Sequence, residues 1–201
     1  MEFNERCTDL LSFKILLIGE SGVGKTTLLR TLKYGYFTKC GVTVGLDFTI
    51  HHIKVDDVTC KLVIWDFGGY RNFMRMYWEN PHFVSEAHGA LLAFDVSSYE
   101  TFLALEEWLR LAKKYNSSDL PIVLVGMKAD LPRNVPRDEI LKFMQENQID
   151  DYIETSALNM VNIEKPFERI VEIILKKKNI LRKKTDQKRA KVIEPSKSIA
   201  I

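Results

Sequence analysis

Eight residues near the N-terminus, Gly19 to Thr26, read GESGVGKT and match the spacing G-x-x-x-x-G-K-[ST]. Small residues at this spacing let backbone N–H groups turn inward around a phosphate, and a helix that begins beside them adds its positive N-terminal end. Lys25 has the reach for the β- and γ-phosphates, and the Thr26 hydroxyl is a suitable ligand for Mg²⁺. The motif therefore predicts a site for a nucleoside triphosphate.

A second run with the same chemistry is WDFGG, in which an apolar stretch ends at Asp66 and Gly69. A carboxylate at the end of a strand next to a phosphate-binding loop is placed to hold Mg²⁺ through water. Taken alone, Asp66 would be an ordinary strand-end aspartate before a glycine turn. Beside the phosphate loop it is a candidate metal residue, and Gly69 is a candidate phosphate contact.

The elements that must position these groups alternate between strand and helix along the chain. Continuous or alternating apolar runs predict strands, and a turn at Asp56 to Thr59 joins the second to the third. Repeated βα units predict a mainly parallel sheet covered on both faces, with ligands at the carboxyl ends of the strands. The predicted strands are FKILLIG, LDFTIHHIKV, CKLVIWDF, GALLAFDV, LPIVLVG and DYIETS.

The longest amphipathic run, SSYETFLALEEWLRLAKKY, predicts a helix. Ser97 and Glu100 have the spacing of a capping box at its start. Pro136 is well placed to open another helix through RDEILKFMQENQ, and Pro166 is tolerable in the first turn of the last helix. The inner face of the amphipathic helix is predicted to be Phe102, Leu105, Leu109 and Ala112.

Composition and charge restrict the class of protein. The chain has 201 residues, of which 46% are hydrophobic, enough for one domain with one core. The net charge is +2, yet residues 176–201 hold ten basic and two acidic side chains, so the tail carries +8 and the rest −6. An acidic body argues against nucleic-acid binding by that body. Three cysteines without metal-ligand spacing indicate reduced, cytoplasmic thiols.

Together the motifs resemble the Ras superfamily of small GTPases, over roughly residues 13–180. TVGLDF is similar to the Rab motif TIGVDF, AHGALLAFDVSSYETF resembles the fourth strand and following helix of Rab proteins, and ETSAL is similar to ETSAK. WDFGG instead resembles the WDxGG of Arf and Roc-type GTPases. The resemblance implies a three-layer α/β/α P-loop fold with a six-stranded, mainly parallel sheet and about five helices. Its domain would span residues 13–181, between an extension (1–12) and a basic, disordered tail (182–201).

The resemblance also assigns roles to individual residues. Thr43 would coordinate Mg²⁺ and sense the γ-phosphate, and an aromatic ring, Tyr36 or Phe37, would lie against the base; the distance from Thr43 favours Tyr36. The catalytic set would be Lys25, Thr43 and Tyr70, and the metal set Thr26, Thr43 and Asp66. The nucleotide-binding set would be Ser21, Gly22, Val23, Gly24, Lys25, Thr26, Thr27, Tyr36, Phe37, Thr43, Gly69, Met127, Lys128, Asp130, Ser156, Ala157 and Leu158.

The first departure from the family pattern is Tyr70, which stands where the family has the glutamine that orients the attacking water. A phenol can donate and accept a hydrogen bond, but its rigid ring places the oxygen further from the backbone, and a misplacement of about 1 Å can cost on the order of 10²-fold in rate. We therefore predict slow intrinsic hydrolysis. A partner contact by Tyr70 is an open alternative, and so is an arginine acting in cis from Arg71 or Arg75.

The second departure is GMKAD, in which Met127 replaces the asparagine of the motif N-K-x-D. Lys128 can still cover the base, and Asp130 can still accept two hydrogen bonds that adenine does not offer. Losing one neutral hydrogen bond costs about 0.5–1.5 kcal/mol, or up to roughly tenfold in affinity. Guanine preference should hold because Asp130 discriminates the base, and nucleotide exchange should be faster because the family's asparagine also ties this loop to the phosphate loop. Alternatively, Met127 simply packs under the base.

The resemblance implies a GTP/GDP switch that depends on Mg²⁺ and meets effectors and regulators through segments near 37–48 and 69–80. A binding module or scaffold that holds GTP without turnover is the rival interpretation, and Asp130 with ETSAL disfavours a P-loop ATPase or kinase. The end EPSKSIAI offers no prenylation motif and the start MEF no myristoylation motif. We expect a cytoplasmic protein without a specific nucleic-acid partner, whose basic tail has the charge for a weak contact with anionic membranes.

Overall fold

The computed structural model describes residues 10–69 and 80–178. Six strands form one sheet in the order β2-β3-β1-β4-β5-β6. β2 pairs antiparallel with β3, and every other neighbouring pair is parallel. The strands are β1 (Leu11–Ile18), β2 (Leu46–Val55), β3 (Val58–Phe67), β4 (Gly89–Asp95), β5 (Ile122–Met127) and β6 (Asp151–Glu154).

Helices cover both faces of this sheet. One core cluster contains side chains of α1 and α6 packed on the strands, and a second cluster on the other face contains those of α2, α3, α4 and α5. The three-layer α/β/α class predicted from the sequence is confirmed. Within the described ranges the helices are α1 (Lys25–Tyr34), α2 (Pro81–Val84), α3 (Tyr99–Leu103), α4 (Leu105–Lys114), α5 (Arg137–Asn147) and α6 (Lys165–Lys177).

The strand order explains where a site can form. The central strands β4 and β5 are buried along their whole length, as their unbroken apolar runs predict. Because β1, β3, β4, β5 and β6 all run parallel, their carboxyl ends meet at one edge of the sheet. The phosphate loop, Asp66, Asp95 and Met127 lie at these ends or directly after them.

The structure corrects two local predictions. Ser97 does not cap the helix: Ser98 is the N-cap residue of α3, and the Ser97 hydroxyl donates to Asp95 Oδ1 at 2.6 Å because that nearly buried carboxylate competes for it. The single predicted helix is divided at Ala104 into α3 and α4. The inner face is confirmed, since the predicted residues are all buried: Phe102, Leu105, Leu109 and Ala112.

The connection between β2 and β3 is shorter than predicted. Val58 and Thr59 already pair with Val55 and Lys54, so only Asp56 and Asp57 form the turn. Elsewhere the helix starts agree with the sequence: Pro136 immediately precedes α5, and Pro166 lies in the first turn of α6. β1 begins at Leu11, two residues before the predicted domain boundary.

Several predictions lie outside the described residues. These are the roles of Tyr70, Arg71 and Arg75, the nature of the tail beyond residue 178, and the state of Cys7. Among the described cysteines, Cys40 is a free thiol and Cys60 is buried in the core. None of the helices described above combines the length and the apolar character that crossing a membrane requires.

Candidate functional site

The phosphate loop is a backbone conformation that only glycine adopts readily. Gly19, Gly22 and Gly24 have φ values of 144°, 78° and 113°, and α1 begins directly after them at Lys25. A Cβ on Gly19 would lie 2.1 Å from the carbonyl oxygen of Ala93, so the loop leaves β1 in direct contact with β4. The spacing of small residues thus reflects both the turn and the close packing beneath it.

Lys25 lies inside this loop with only 5% of its surface exposed. Its Nζ donates to the carbonyl oxygens of Gly19 at 2.6 Å and Glu20 at 2.8 Å. Burial lowers the pKa of Lys25 to about 8, although the carboxylates of Asp66 and Glu20 act in the opposite direction. An ammonium group that is costly to bury gains from a phosphate anion, which would supply the missing countercharge.

Trp108 supports the loop from α4 and was not singled out by sequence reasoning. Its Nε1 donates to Glu20 Oε1 at 3.2 Å, and Lys25 Nζ lies 6.0 Å from the centre of its ring. The side chain is fully buried. A signal was available, since Trp108 follows Leu105 by three residues and therefore shares the predicted inner face of the helix.

The three predicted metal ligands come together although they lie on separate segments. Thr26 Oγ1 donates to Asp66 Oδ2 at 2.5 Å and is also in hydrogen-bond contact with Thr43 Oγ1. Asp66 is 1% exposed, and this burial raises the pKa of its carboxyl above the usual value. Its Oδ1 has no hydrogen-bond partner within the described part of the chain. Three hard oxygen donors, one of them buried and unsatisfied, fit Mg²⁺.

Gly68 and Gly69 join the metal ligands to the phosphate loop. The N–H of Gly68 donates to the carbonyl oxygen of Gly45 at 2.7 Å, and a Cβ there would lie 2.5 Å from the carbonyl oxygen of Thr43. A Cβ on Gly69 would lie 2.1 Å from the backbone nitrogen of Ser21. The chain leaving β3 therefore passes between residues 43–45 and the phosphate loop, where no side chain fits.

Two cavities lie along this edge of the sheet and share Gly22, Gly24, Thr27 and Cys40 as lining residues. The first, which we call the phosphate cavity, has a volume of about 170 Å³. The second, the base cavity, has a volume of about 330 Å³. The phosphate cavity also contacts Ser21, Lys25, Thr26, Gly41, Val42, Thr43, Gly68 and Gly69. The base cavity also contacts Val23, Leu28, Phe37, Lys39, Met127, Lys128, Asp130, Thr155, Ala157 and Leu158.

Met127 lies in the wall of the base cavity with 2% of its surface exposed. Its Sδ accepts a hydrogen bond from Thr155 Oγ1 at 3.3 Å. Ser156 stands behind the wall: it is 1% exposed and its hydroxyl donates to Asp130 Oδ1. Asp130 therefore faces the cavity with one carboxylate oxygen already held by the loop that follows β6.

Lys128 follows Met127 in a left-handed backbone conformation, with φ of 59°. Its Nζ forms an ion pair with Asp95 Oδ2 at 2.6 Å. Asp95 Oδ1 accepts from the N–H of Ser97 at 2.9 Å and from its hydroxyl. Sequence reasoning missed Asp95, although it ends the apolar run of β4 just as Asp66 ends the run of β3.

Phe37, rather than the favoured Tyr36, is the aromatic residue that lines the base cavity. Tyr36 is 63% exposed and its ring centre lies 6.1 Å from that of Tyr34. The reason is local: α1 ends at Tyr34, and Gly35 with φ of 74° turns the chain before these two rings. Counting back from Thr43 could not reveal this turn.

Every residue of the nucleotide-binding set except Tyr36 and Ser156 lines one of the two cavities. A family model described as the Ras family matches residues 14–176, which is most of the chain and includes both cavities. The chain belongs to the Ras family. Members of this family are small GTPases that bind GTP and GDP with Mg²⁺ and act as switches.

In this Ras-family protein the two cavities lie where a strand-end nucleotide site is expected in a parallel α/β sheet. The phosphate cavity holds the predicted catalytic residues Lys25 and Thr43, while Tyr70 follows Gly69 outside the described residues. The family match does not distinguish the Rab-like motifs from the WDxGG motif, so the branch stays a prediction.

Proposed function

We propose that this protein is a Mg²⁺-dependent GTP/GDP switch with slow intrinsic hydrolysis, of the Rab-like type that regulates signalling or vesicle traffic. The observation that carries the proposal is the convergence of Thr26, Thr43 and Asp66: Thr26 contacts both of the other two, and Thr26 and Thr43 line the phosphate cavity with Lys25. Residues from three separate segments meet there, and only a charged, oxygen-rich ligand uses all of them.

In this proposal the nucleotide phosphates are bound by the charge of Lys25 and by backbone groups of the phosphate loop. Lys25 would exchange its two carbonyl partners for the β- and γ-phosphate oxygens of the nucleotide. Thr26, Thr43 and Asp66 would hold Mg²⁺, which would supply positive charge to the phosphates. Thr43 belongs to the segment near 37–48, so its loss from the site on hydrolysis would release that segment toward partners.

Guanine is the proposed base because of Asp130. One of its oxygens already accepts from the Ser156 hydroxyl, which fixes the carboxylate at the rim of the base cavity. A fixed carboxylate accepts from the N1–H and exocyclic amine of guanine, whereas adenine presents no such pair of donors there. Phe37 and the stem of Lys128 would cover the base, and Ala157 and Leu158 would close the edge.

Slow hydrolysis is proposed from the residue that follows Gly69. Gly69 lies against the backbone of Ser21 in the phosphate loop, and Tyr70 is the next residue in the sequence. A glutamine there can present an amide to water on a flexible stem, whereas the oxygen of Tyr70 is carried at the far end of a rigid ring. Lys25 and the phosphate loop are unaffected, so nucleotide binding would persist when turnover is slow.

The alternative is a scaffold that holds GTP without significant turnover. It is favoured by the same two departures, Tyr70 at the glutamine position and Met127 at the asparagine position. Protein purified without added nucleotide and then denatured should release near-stoichiometric GDP if the switch turns over. Released GTP would favour a scaffold that holds nucleotide without turnover, and an empty site would contradict the switch and favour a scaffold that scarcely binds nucleotide.

Single-turnover hydrolysis then separates slow turnover from none. No phosphate release over hours, with or without candidate activators, would contradict the enzymatic part of the proposal. A thermal-shift comparison tests the base: GTP should raise the melting temperature more than ATP at equal concentration and equal Mg²⁺. Equal shifts would contradict the proposed role of Asp130.

We also propose a cytoplasmic protein that meets effectors and regulators through segments near 37–48 and 69–80. Its basic tail would contact anionic membranes weakly, at about 1 kcal/mol per well-placed charge. Co-sedimentation with vesicles containing phosphatidylserine should exceed that with neutral vesicles and should fall with salt. Equal binding to both would contradict the membrane part of the proposal.

A further inference from the structure

An ion pair lies beside the base cavity, between the nearly buried carboxylate of Asp95 and Lys128, whose side chain is 37% exposed. Asp95 is the last residue of β4 and is 6% exposed. In the register of the two parallel strands it stands directly beside Met127, the last residue of β5. Its Oδ2 lies 2.6 Å from Lys128 Nζ, so the lysine that lines the base cavity is tethered from the neighbouring strand.

Asp95 is itself held in one orientation. Its Oδ1 accepts two hydrogen bonds from Ser97, one from the backbone N–H at 2.9 Å and one from the hydroxyl at 2.6 Å. Its own N–H donates to Thr101 Oγ1 at 3.0 Å. With the backbone held by Thr101 and Oδ1 held by two hydrogen bonds from Ser97, the carboxylate presents its other oxygen toward Lys128.

Lys128 needs such a tether more than a lysine on a regular strand does. It adopts a left-handed backbone conformation, which costs on the order of 1 kcal/mol in a residue with a side chain. The residue before it, Met127, offers the loop one weak sulfur acceptor for Thr155 and no donor. The side chain at this position therefore donates no hydrogen bond to the loop, as the amide of the family motif can.

We propose that Asp95 is a positioning residue for guanine nucleotide retention, acting through Lys128 in place of the asparagine absent at position 127. This inference rests on the proposed function and deepens it. A charge-assisted hydrogen bond is about twice as strong as a neutral one, and the carboxylate of this pair is nearly buried, so its loss should speed nucleotide release about tenfold.

The decisive variant is Asp95→Asn, measured by the dissociation rate of a fluorescent GDP analogue in excess Mg²⁺ and unlabelled GDP. Asparagine keeps the acceptor for Ser97 and replaces the charged oxygen that faces Lys128 with an NH₂ group, so the ion pair is lost. The matched control is Asp119→Asn, which removes an exposed ion pair with Lys177 before the start of β5, far along the strand from the base cavity. We expect about tenfold faster release for the first and a change within about twofold for the control.

A double-mutant cycle shows whether Asp95 acts through Lys128. Lys128→Met alone should speed release, and adding Asp95→Asn to it should produce little further change. The same tenfold factor in both backgrounds would overturn the positioning role, because it would mean a general effect on the fold. The melting temperature of nucleotide-free protein checks that each variant folds. If Asp95→Asn lowers it sharply, Ser97→Ala provides a milder test, for which we expect a release rate between those of wild type and Asp95→Asn.

The outcomes separate this inference from the proposed function. Wild-type protein that retains GDP, combined with unchanged release from Asp95→Asn, overturns the positioning role alone. Wild-type protein that retains no guanine nucleotide overturns both. Faster release that depends on Lys128 supports both.

Discussion

The phosphate end and the base end of the site are built in different ways. At the phosphate end, Lys25 donates to backbone carbonyls, and Gly19 and Gly69 permit backbone contacts that no side chain would allow. At the base end, the contacts join side chains to one another: Asp95 to Lys128 and Thr155 to Met127. Every residue of the phosphate motif follows the family pattern, whereas the base motif has lost its asparagine.

This difference determines how well each end of the site tolerates amino-acid substitutions. A Cβ at Gly19 or Gly69 would collide with backbone, so no rearrangement of neighbouring side chains relieves it. A network of side chains can exchange one partner for another as long as buried polar groups stay paired. We therefore expect changes at the phosphate end to abolish binding and changes at the base end to adjust it.

The largest expected effect is at Lys25. Lys25→Met removes the buried ammonium that would pair with the phosphates and should weaken GTP and GDP binding by about 100-fold or more, since hydrogen bonds to charged groups are worth about 1.5–3 kcal/mol each. Equilibrium titration with a fluorescent nucleotide checks this. Tight nucleotide binding by the variant would contradict the expected difference in tolerance between the phosphate end and the base end.

The next effect concerns Asp66 and Mg²⁺. Asp66→Asn keeps the shape of the side chain but removes the charge, which should lower Mg²⁺ affinity by about 10- to 100-fold. In wild type, chelation of Mg²⁺ should accelerate GDP release, and in the variant release should be fast before chelation. If chelation accelerates both proteins by the same factor, the assignment of Asp66 to the metal is wrong.

A smaller effect, of opposite sign, is expected at the base end. Met127→Asn restores an amide that can accept from the Thr155 hydroxyl and donate to the loop, so GDP release should slow by up to about tenfold. The fluorescent-nucleotide dissociation rate is the measurement, with the melting temperature of the nucleotide-free protein as the folding control. Faster release would mean that the packing of Met127 outweighs the missing amide.

The smallest effect distinguishes two adjacent rings. Phe37→Ala removes the ring that lines the base cavity and should speed release a few-fold, in line with about 0.5–1.5 kcal/mol for an aromatic contact. Tyr36→Ala is the matched comparison and should stay within about twofold, because that ring lies outside the cavity. A larger effect of Tyr36→Ala than of Phe37→Ala would indicate that Tyr36, and not Phe37, contacts the base.

Sequence reasoning recovered the fold because its signals were strong and local. Buried strands such as β4 and β5 are unbroken apolar runs, and the phosphate loop requires glycines at fixed spacing. The convergence of Thr26, Thr43 and Asp66 followed from the resemblance together with the rule that parallel strands present their carboxyl ends at one edge.

The site features that could not be predicted from the sequence depend on which side chains compete for the same hydrogen-bond partner and on tertiary register. Ser97 has the spacing of a helix cap, yet the nearly buried carboxylate of Asp95 takes its hydroxyl, and no local pattern reveals which acceptor wins. Asp95 itself becomes a site residue only through its register with Met127. Phe37 reaches the cavity because of the turn at Gly35, which counting residues from Thr43 ignores.

The contacts of Gly68 and Gly69 have a consequence for what the protein can report. Gly68 touches residues 43–45 while Gly69 touches the phosphate loop, so the end of β3 joins the segment that holds Thr43 to that loop. Residues 43–45 cannot move away without removing the surface against which Gly68 packs. In the proposed switch, a change at Thr43 would therefore also be felt at the end of β3, and partners would meet one binary state of this region rather than two independent ones.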